Sequence, residues 1–222
     1  MTDPALATTT EPRRGALSID EIVDVGLRLV RSQGLGSITM RRLADELGVT
    51  PMAVYHHLAS KQELLARVVE RIGVDVRLPH DGRPWTEQMR HYCMGWREEL
   101  RRHPGVARHL LTQEAPPATA LRVLDDAVGL LIEAGFDERE AARAYAALVS
   151  FVLTRVDLEE VLDTAGTRGA EVPDHLIAAL GGGHDVDFGL VVGYLEELTD
   201  DDHFTYMLDA LLAGIEAGRT RA

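Results

Sequence analysis

The chain has one cysteine in 222 residues, Cys93, and one lysine, Lys61. A lone thiol excludes an internal disulfide framework and a thiolate metal cluster, and it suits a reducing cytosol. Positive charge is short overall: 23 Lys and Arg stand against 36 Asp and Glu, for a net charge of −13. Long apolar runs are missing too. The longest, AYAALVSFVL at 144–153, is about half the length a bilayer span needs. The opening stretch MTDPALATTTEP has neither the basic nor the apolar region of a secretory signal. With 45% hydrophobic and 27% charged residues, the chain has the composition of an ordinary globular protein. The expectation is a soluble, cytoplasmic protein without a membrane partner.

Catalytic and metal-binding signatures are also lacking. Despite nine histidines, no HExxH, paired CxxC or other recognised ligand spacing occurs, so no metal site and no cofactor is expected. LGGGHD at 180–185 is Gly-rich, but it follows no strand and opens no periodic helix, which fails the context of a phosphate loop. Ser150 has no elbow motif around it. A helical enzyme therefore stands only as a distant alternative.

What is present is an uneven charge distribution. Residues 13–61 hold seven bases against five acids, for +2. Residues 62–222 carry −13 and the first twelve −2. A mildly basic head on a strongly acidic body fits DNA contact through the head alone, with the body repelled from phosphates.

Helical signals fill the chain. Ser18 and Glu21 form a capping box ahead of Ile19, Ile22, Val23, Gly26, Leu27 and Val30 at helical spacing, and Gly34 ends the run. Thr39 caps MRRLADEL, with Leu43, Ala44 and Leu47 facing inward and Gly48 as the stop. Thr50 and Pro51 then open a short helix through VTPMAVYHHL, which buries Val54 and Leu58 and leaves Met52, Ala53, Tyr55, His56 and His57 largely outward. Ser60 and Glu63 cap a fourth helix. Two short helices joined by a three-residue turn containing Gly, behind a longer first helix, form a helix-turn-helix pattern.

Further helices are predicted near 84–102, 104–112, 118–134, 137–163 and 202–217, with 164–188 reading as a mobile loop around a short helix. Two of them carry continuous apolar faces. One runs Ala141, Tyr145, Leu148, Val149, Val152 and Val156; the other runs Phe204, Met207, Leu208, Leu211, Leu212 and Ile215. The expected architecture is all-α. A flexible tail (1–17) precedes a three-helix helix-turn-helix head (18–75) and a helical ligand-binding and dimerisation domain (76–222).

GLGSITMRRLADELGVTPMAVYHHLASKQELL resembles the DNA-binding head of the tetracycline-repressor (TetR) family of bacterial transcriptional regulators. Thr39, Arg41, Leu43, Ala44, Leu47, Gly48, Val49, Tyr55, His57, Lys61 and Leu64 fall on the family pattern over about residues 18–75. The body is more loosely similar to the regulatory domain of the family's tetracycline-binding members. LP…W at 78–85, HLLT at 109–112, AGF at 134–136 and SFVL at 150–153 occur there in order. The resemblance implies a homodimeric repressor whose heads occupy successive major grooves of a palindromic double-stranded operator, released when the body binds a small-molecule effector. Carried over by position, Arg41, Met52, Ala53 and His56 meet base edges, and Thr39, Thr50, Tyr55, His57 and Lys61 touch phosphates. Arg can grip guanine bidentately, a thioether or methyl can contact thymine, and hydroxyls and Lys suit phosphate oxygens.

The departures bear on the effector. Tetracycline-binding members hold a magnesium–drug chelate with histidines and polar side chains. His109 and Thr112 match part of that set, but Val74, Tyr92 and Ala127 stand where the others would be. The expectation is a hydrophobic or aromatic effector in a pocket lined by Trp85, Met89, Tyr92, Trp96, His109, Thr112 and Tyr145. A metal-responsive regulator and a ligand-independent dimeric DNA-binding regulator remain as alternatives.

Overall fold

The computed structural model describes residues 17–73, 76–113, 116–165 and 200–219, and all regular structure among them is helical. The segments expected as the tail before residue 17 and most of the 164–188 loop, including LGGGHD, lie outside the described residues.

α1 (Ile19–Gln33) begins with the capping box: the Glu21 N–H donates to Ser18 Oγ at 3.2 Å and the Ser18 N–H donates to Glu21 Oε2 at 3.1 Å. After a short 3-10 turn, α2 (Met40–Leu47) starts at Thr39, whose hydroxyl accepts the Arg42 N–H at 3.1 Å. It ends at Gly48, whose φ of +66° lies in the left-handed region that a side chain would disfavour. α3 (Pro51–Tyr55) is capped by Thr50, which accepts the Ala53 N–H at 3.3 Å, with Pro51 in the first turn where no amide is needed. α4 (Lys61–Gly73) is capped by Ser60, which accepts the Glu63 N–H at 3.1 Å.

These four helices bury one side each. Ile22, Leu29, Val30, Leu43, Ala44, Val54, Leu58, Leu64 and Val68 are almost fully removed from solvent. α1 crosses α4 at Gly26, where a Cβ would stand 2.8 Å from Val68 Cγ2, so glycine sets how closely the helices approach.

The body follows: α5 (Trp85–Arg101), α6 (Val106–Thr112), α7 (Ala118–Glu133), α8 (Glu138–Ala165) and α9 (Asp200–Arg219). α8 packs against α5, α6, α7 and α9, so apolar residues are needed on most of its circumference. The inner row of α9 is Phe204, Leu208 and Leu212; Leu211 and Ile215 are half-buried and Met207 is exposed. A nearly buried ion network ties three helices. Arg97 of α5 binds Glu159 of α8 at 3.1 Å and Asp201 of α9 at 2.6 Å, with its guanidinium 4.6 Å from the Phe204 ring centre. Arg155 lies 3.2 Å from the same Glu159 and 2.9 Å from Asp200. Because each buried charge has partners of opposite sign, the network costs far less than its members would alone.

Candidate functional site

Two features stand out, one on the head and one in the body. On the head, the capped starts of α2 and α3 and the first residue of α4 bring Thr39, Arg41, Thr50, Met52, Tyr55, His56 and Lys61 to the surface. Met52 is 66% exposed, although it is apolar, and Ala53 and His57 are half-buried. Among the described residues no carboxylate pairs with Arg41 or Lys61, whereas Arg67 is held by Glu63 and Arg71 by Asp20 and Asp24. Arg41 of α2 and Lys61 of α4 are thus unneutralised cations on the two helices that flank α3 in sequence.

The body encloses a cavity of about 270 Å³. Five helices wall it, four of them with Val69, Ile72 and Gly73 from α4, Tyr92 and Trp96 from α5, Val106 and Leu110 from α6, and Tyr145, Val149 and Leu153 from α8. Gln113 and the first half of α7, with Thr119, Val123 and Leu124, complete the wall. None of its described lining residues carries a charge. Behind Tyr92, Trp96 and Tyr145 lies a smaller apolar void of about 20 Å³, reached by Met89 and Cys93. Burial pushes the Cys93 thiol up to about 12, and it pushes the Tyr92 and Tyr145 hydroxyls above the usual phenol range, so all three stay protonated near neutral pH.

Of the seven residues expected at the pocket, Tyr92, Trp96 and Tyr145 line the main cavity. Met89 touches only the void behind them. Trp85 is instead a core residue joining α5 to α9: its indole N–H donates to Glu216 at 2.8 Å and its ring meets Phe136 edge-on at 5.1 Å. His109 and Thr112 are not among the described lining residues. Thr112 is exposed, and its hydroxyl donates back to the Arg108 carbonyl at 2.9 Å. His109 is partly buried, and desolvation alone lowers its pKa. α6 turns Val106 and Leu110 inward instead, and the lining residues with polar groups are Gln113 and Thr119 beside Tyr92, Trp96 and Tyr145. Of the three positions that depart from the tetracycline-binding pattern, Tyr92 lines the cavity, Ala127 is buried, and Val74 lies outside the described residues.

The sequence reading missed the walls supplied by α4 and α7. Val69 and Ile72 carried a signal, since helical spacing marked them as inward, but not that they face a void. Among the described residues, hydrogen bonds join head and body at two places. Glu70 of α4 accepts the Thr119 N–H at 2.9 Å and pairs with Arg122 at 3.3 Å, holding the start of α7. At the α5–α6 corner, Arg31 Nε donates to His103 Nε2 at 2.9 Å, and the Leu35 N–H donates to the Pro104 carbonyl at 2.7 Å. His103 is fully buried, and its Nδ1 lies 2.8 Å from the Glu99 carbonyl oxygen. With Nδ1–H donating there, Nε2 is left free to accept from Arg31.

No helix among the described residues is long and apolar enough to cross a membrane, and no three His, Cys, Asp or Glu side chains among them form a metal site.

Comparison with known proteins gives a concordant picture. Residues 22–68 match the bacterial regulatory proteins of the tetR family, and residues 78–219 match the tetracyclin repressor-like C-terminal domain. An HTH-type transcriptional regulator of Saccharopolyspora erythraea is 30% identical over 220 residues, covering 96% of this chain and 89% of its own. The class D tetracycline repressor protein of Escherichia coli is 27% identical over 211 residues, covering 92% and 91%. Among solved structures, ActR of Streptomyces coelicolor in complex with actinorhodin superposes with a TM-score of 0.76 at 25% identity, over 91% of this chain and 96% of that one. These relatives are regulators rather than enzymes. The chain belongs to the tetracycline-repressor (TetR) family of bacterial transcriptional regulators, with its DNA-binding helix-turn-helix in α2 and α3.

Proposed function

We propose that the protein is a ligand-responsive repressor that binds a palindromic operator as a homodimer and leaves it when a hydrophobic or aromatic small molecule fills the body cavity. The observation that carries this reading is the double role of α4. Its Leu64 and Val68 belong to the core of the head beneath α1, while Val69, Ile72 and Gly73 form a wall of the cavity. A ligand that repositions α4 repositions the head, and the regulatory effect equals its preference for one head spacing over the other. Support for a flat aromatic effector comes from the walls of Tyr92, Trp96 and Tyr145 without a described charge, and from the actinorhodin complex of the similar ActR.

On the DNA, Arg41, Met52, Ala53 and His56 are assigned to base edges, and Thr39, Thr50, Tyr55, His57 and Lys61 to phosphates. For the dimer, α8 offers Ala147, Ser150, Thr154, Leu158 and Val161 as an exposed stripe without a charge, and α9 offers Tyr206, Ala210, Ala213 and Ala217. Helices with small residues at such spacing can pack closely against their equivalents in a second copy.

Selection of DNA from a random-sequence pool tests the DNA half of this reading. The expected product is an inverted repeat with half-sites about one helical turn apart. Recovery of no sequence preference contradicts it.

A further inference from the structure

α7 starts without a cap of its own. It follows Pro117, whose ring accepts no hydrogen bond, and the Pro117 carbonyl takes the amides of Ala120 and Leu121. The Thr119 N–H, one of the first-turn amides that find no partner inside a helix, donates instead to Glu70 of α4 at 2.9 Å. The same carboxylate accepts the Thr119 hydroxyl proton at 3.3 Å and pairs with Arg122, three residues along α7, at 3.3 Å. Glu70 thus does from a neighbouring helix what a capping residue does within its own, with its negative charge where the α7 dipole favours it. Among the described residues, every hydrogen bond from α4 to the body ends on Glu70. Thr119 is buried, and Gly73 of α4 meets it so closely that a Cβ has no room, so the bond lies beside a tight contact.

The bond also sits at the edge of the cavity. The turn before α7 and its first two turns, from Pro116 to Leu124, supply a large share of the wall, and α4 supplies Val69, Ile72 and Gly73. Glu70 itself is not among the described lining residues. We infer that Glu70 is a positioning residue for the regulatory response: by capping α7 from α4, it makes the α7 wall and the head move together. The inference rests on the cavity being the effector site. A ligand pressing on α7 then displaces α4 as well, even where it does not touch α4. Without the cap, the ligand still meets its apolar walls, but a shift of α7 is absorbed at the loosened α4–α7 contact. Glu70 therefore sets how strongly ligand and operator oppose each other, not how tightly the ligand binds by itself.

The probe is 9-fluorenone, a flat, uncharged, fused three-ring aromatic suited to walls without a described charge. Calorimetric titration of the full-length protein with and without the selected operator gives the coupling factor, the ratio of the two fluorenone affinities. In the wild type it is expected at roughly 5- to 150-fold. In Glu70→Ala it is expected to fall toward unity, by roughly 2- to 30-fold, with fluorenone affinity in the absence of operator unchanged. Glu70→Gln keeps an oxygen that accepts the Thr119 N–H and is expected to lose less coupling than Glu70→Ala. A wild-type coupling factor in Glu70→Ala overturns the inference and leaves the cavity as the effector site. Equal losses in the two variants mean that charge, not the capping bond, is at work, and overturn it too. Weaker fluorenone binding by Glu70→Ala without operator shows that Glu70 shapes the cavity instead, which also overturns it. If fluorenone does not bind the wild type, or binds without coupling, the cavity fails as the switch for flat aromatic molecules, and the inference falls with that reading.

Discussion

Arg41 and Lys61 are both exposed and both free of carboxylate partners among the described residues, yet they are assigned different work on DNA. A guanidinium on a base edge reads sequence, while an ammonium on a phosphate does not. Arg41→Ala is expected to cost about 1–3 kcal/mol of operator binding and to relax preference at one base pair. Lys61→Ala is expected to weaken all sequences alike and reduce the slope of log affinity against log salt by about one. Anisotropy titrations over a salt series separate the two; an Arg41→Ala protein with wild-type affinity and selectivity contradicts the assignment. Asp201 gives a residue-scale prediction for stability. Its hydrogen bond and charge contact with Arg97, aided by Arg101, hold its carboxyl below the usual carboxylate range in the folded state. A depressed folded pKa contributes stability above the unfolded value and loses it as the pH falls through the folded one. Asp201→Asn should therefore lower the urea midpoint at pH 7, and the gap to wild type should close at acid pH, below the ordinary carboxylate range. A gap that persists there contradicts this origin.

At the scale of elements, α4 and α7 approach so closely at Gly73 that a Cβ would stand 2.9 Å from Thr119 Oγ1. Gly73→Ala must shift one helix, at a cost of about 1–3 kcal/mol as for other overpacked contacts. Because α4 also builds the head, the shift is expected to lower operator affinity, and adding Thr119→Ala should recover much of it. Unchanged operator affinity in Gly73→Ala means that this contact does not set the head spacing. The same elements show what a sequence can and cannot tell. Ser18 with Glu21, Thr39 with Gly48, and Thr50 with Pro51 act through bonds within three or four residues, so their helix boundaries were readable directly. Spacing also marked Leu64, Val69 and Ile72 as inward. Which inward residues face a cavity depends on how helices distant in sequence stack, and Val69 and Tyr145 come together only through that stacking. On the short α6 it is Val106 and Leu110 that line the cavity, while His109 and Thr112 are not among the described lining residues. Trp85 carried no mark distinguishing core from cavity wall, because its partner Glu216 is on the last helix.

The whole molecule is expected to be a dimer through α8 and α9. The choice of interface probe follows from the two faces of α9. Leu208 is fully buried inside the subunit, so Leu208→Glu reports loss of the fold. Tyr206, 76% exposed, lies on the outer face with Met207 beside it. Tyr206→Glu with Met207→Glu should give folded monomers, while the wild type sediments as a dimer at micromolar concentration; a monomeric wild type contradicts the assembly. Dimer, head and cavity together make one claim, that occupancy of the cavity and occupancy of the operator oppose each other. Calorimetric titration of 9-fluorenone into the protein, with and without the selected operator, tests it most directly. An allosteric coupling of about 1–3 kcal/mol predicts fluorenone affinity reduced roughly 5- to 150-fold by operator, and operator affinity reduced by the same factor when fluorenone is saturating. Equal fluorenone affinity in the two titrations contradicts the account.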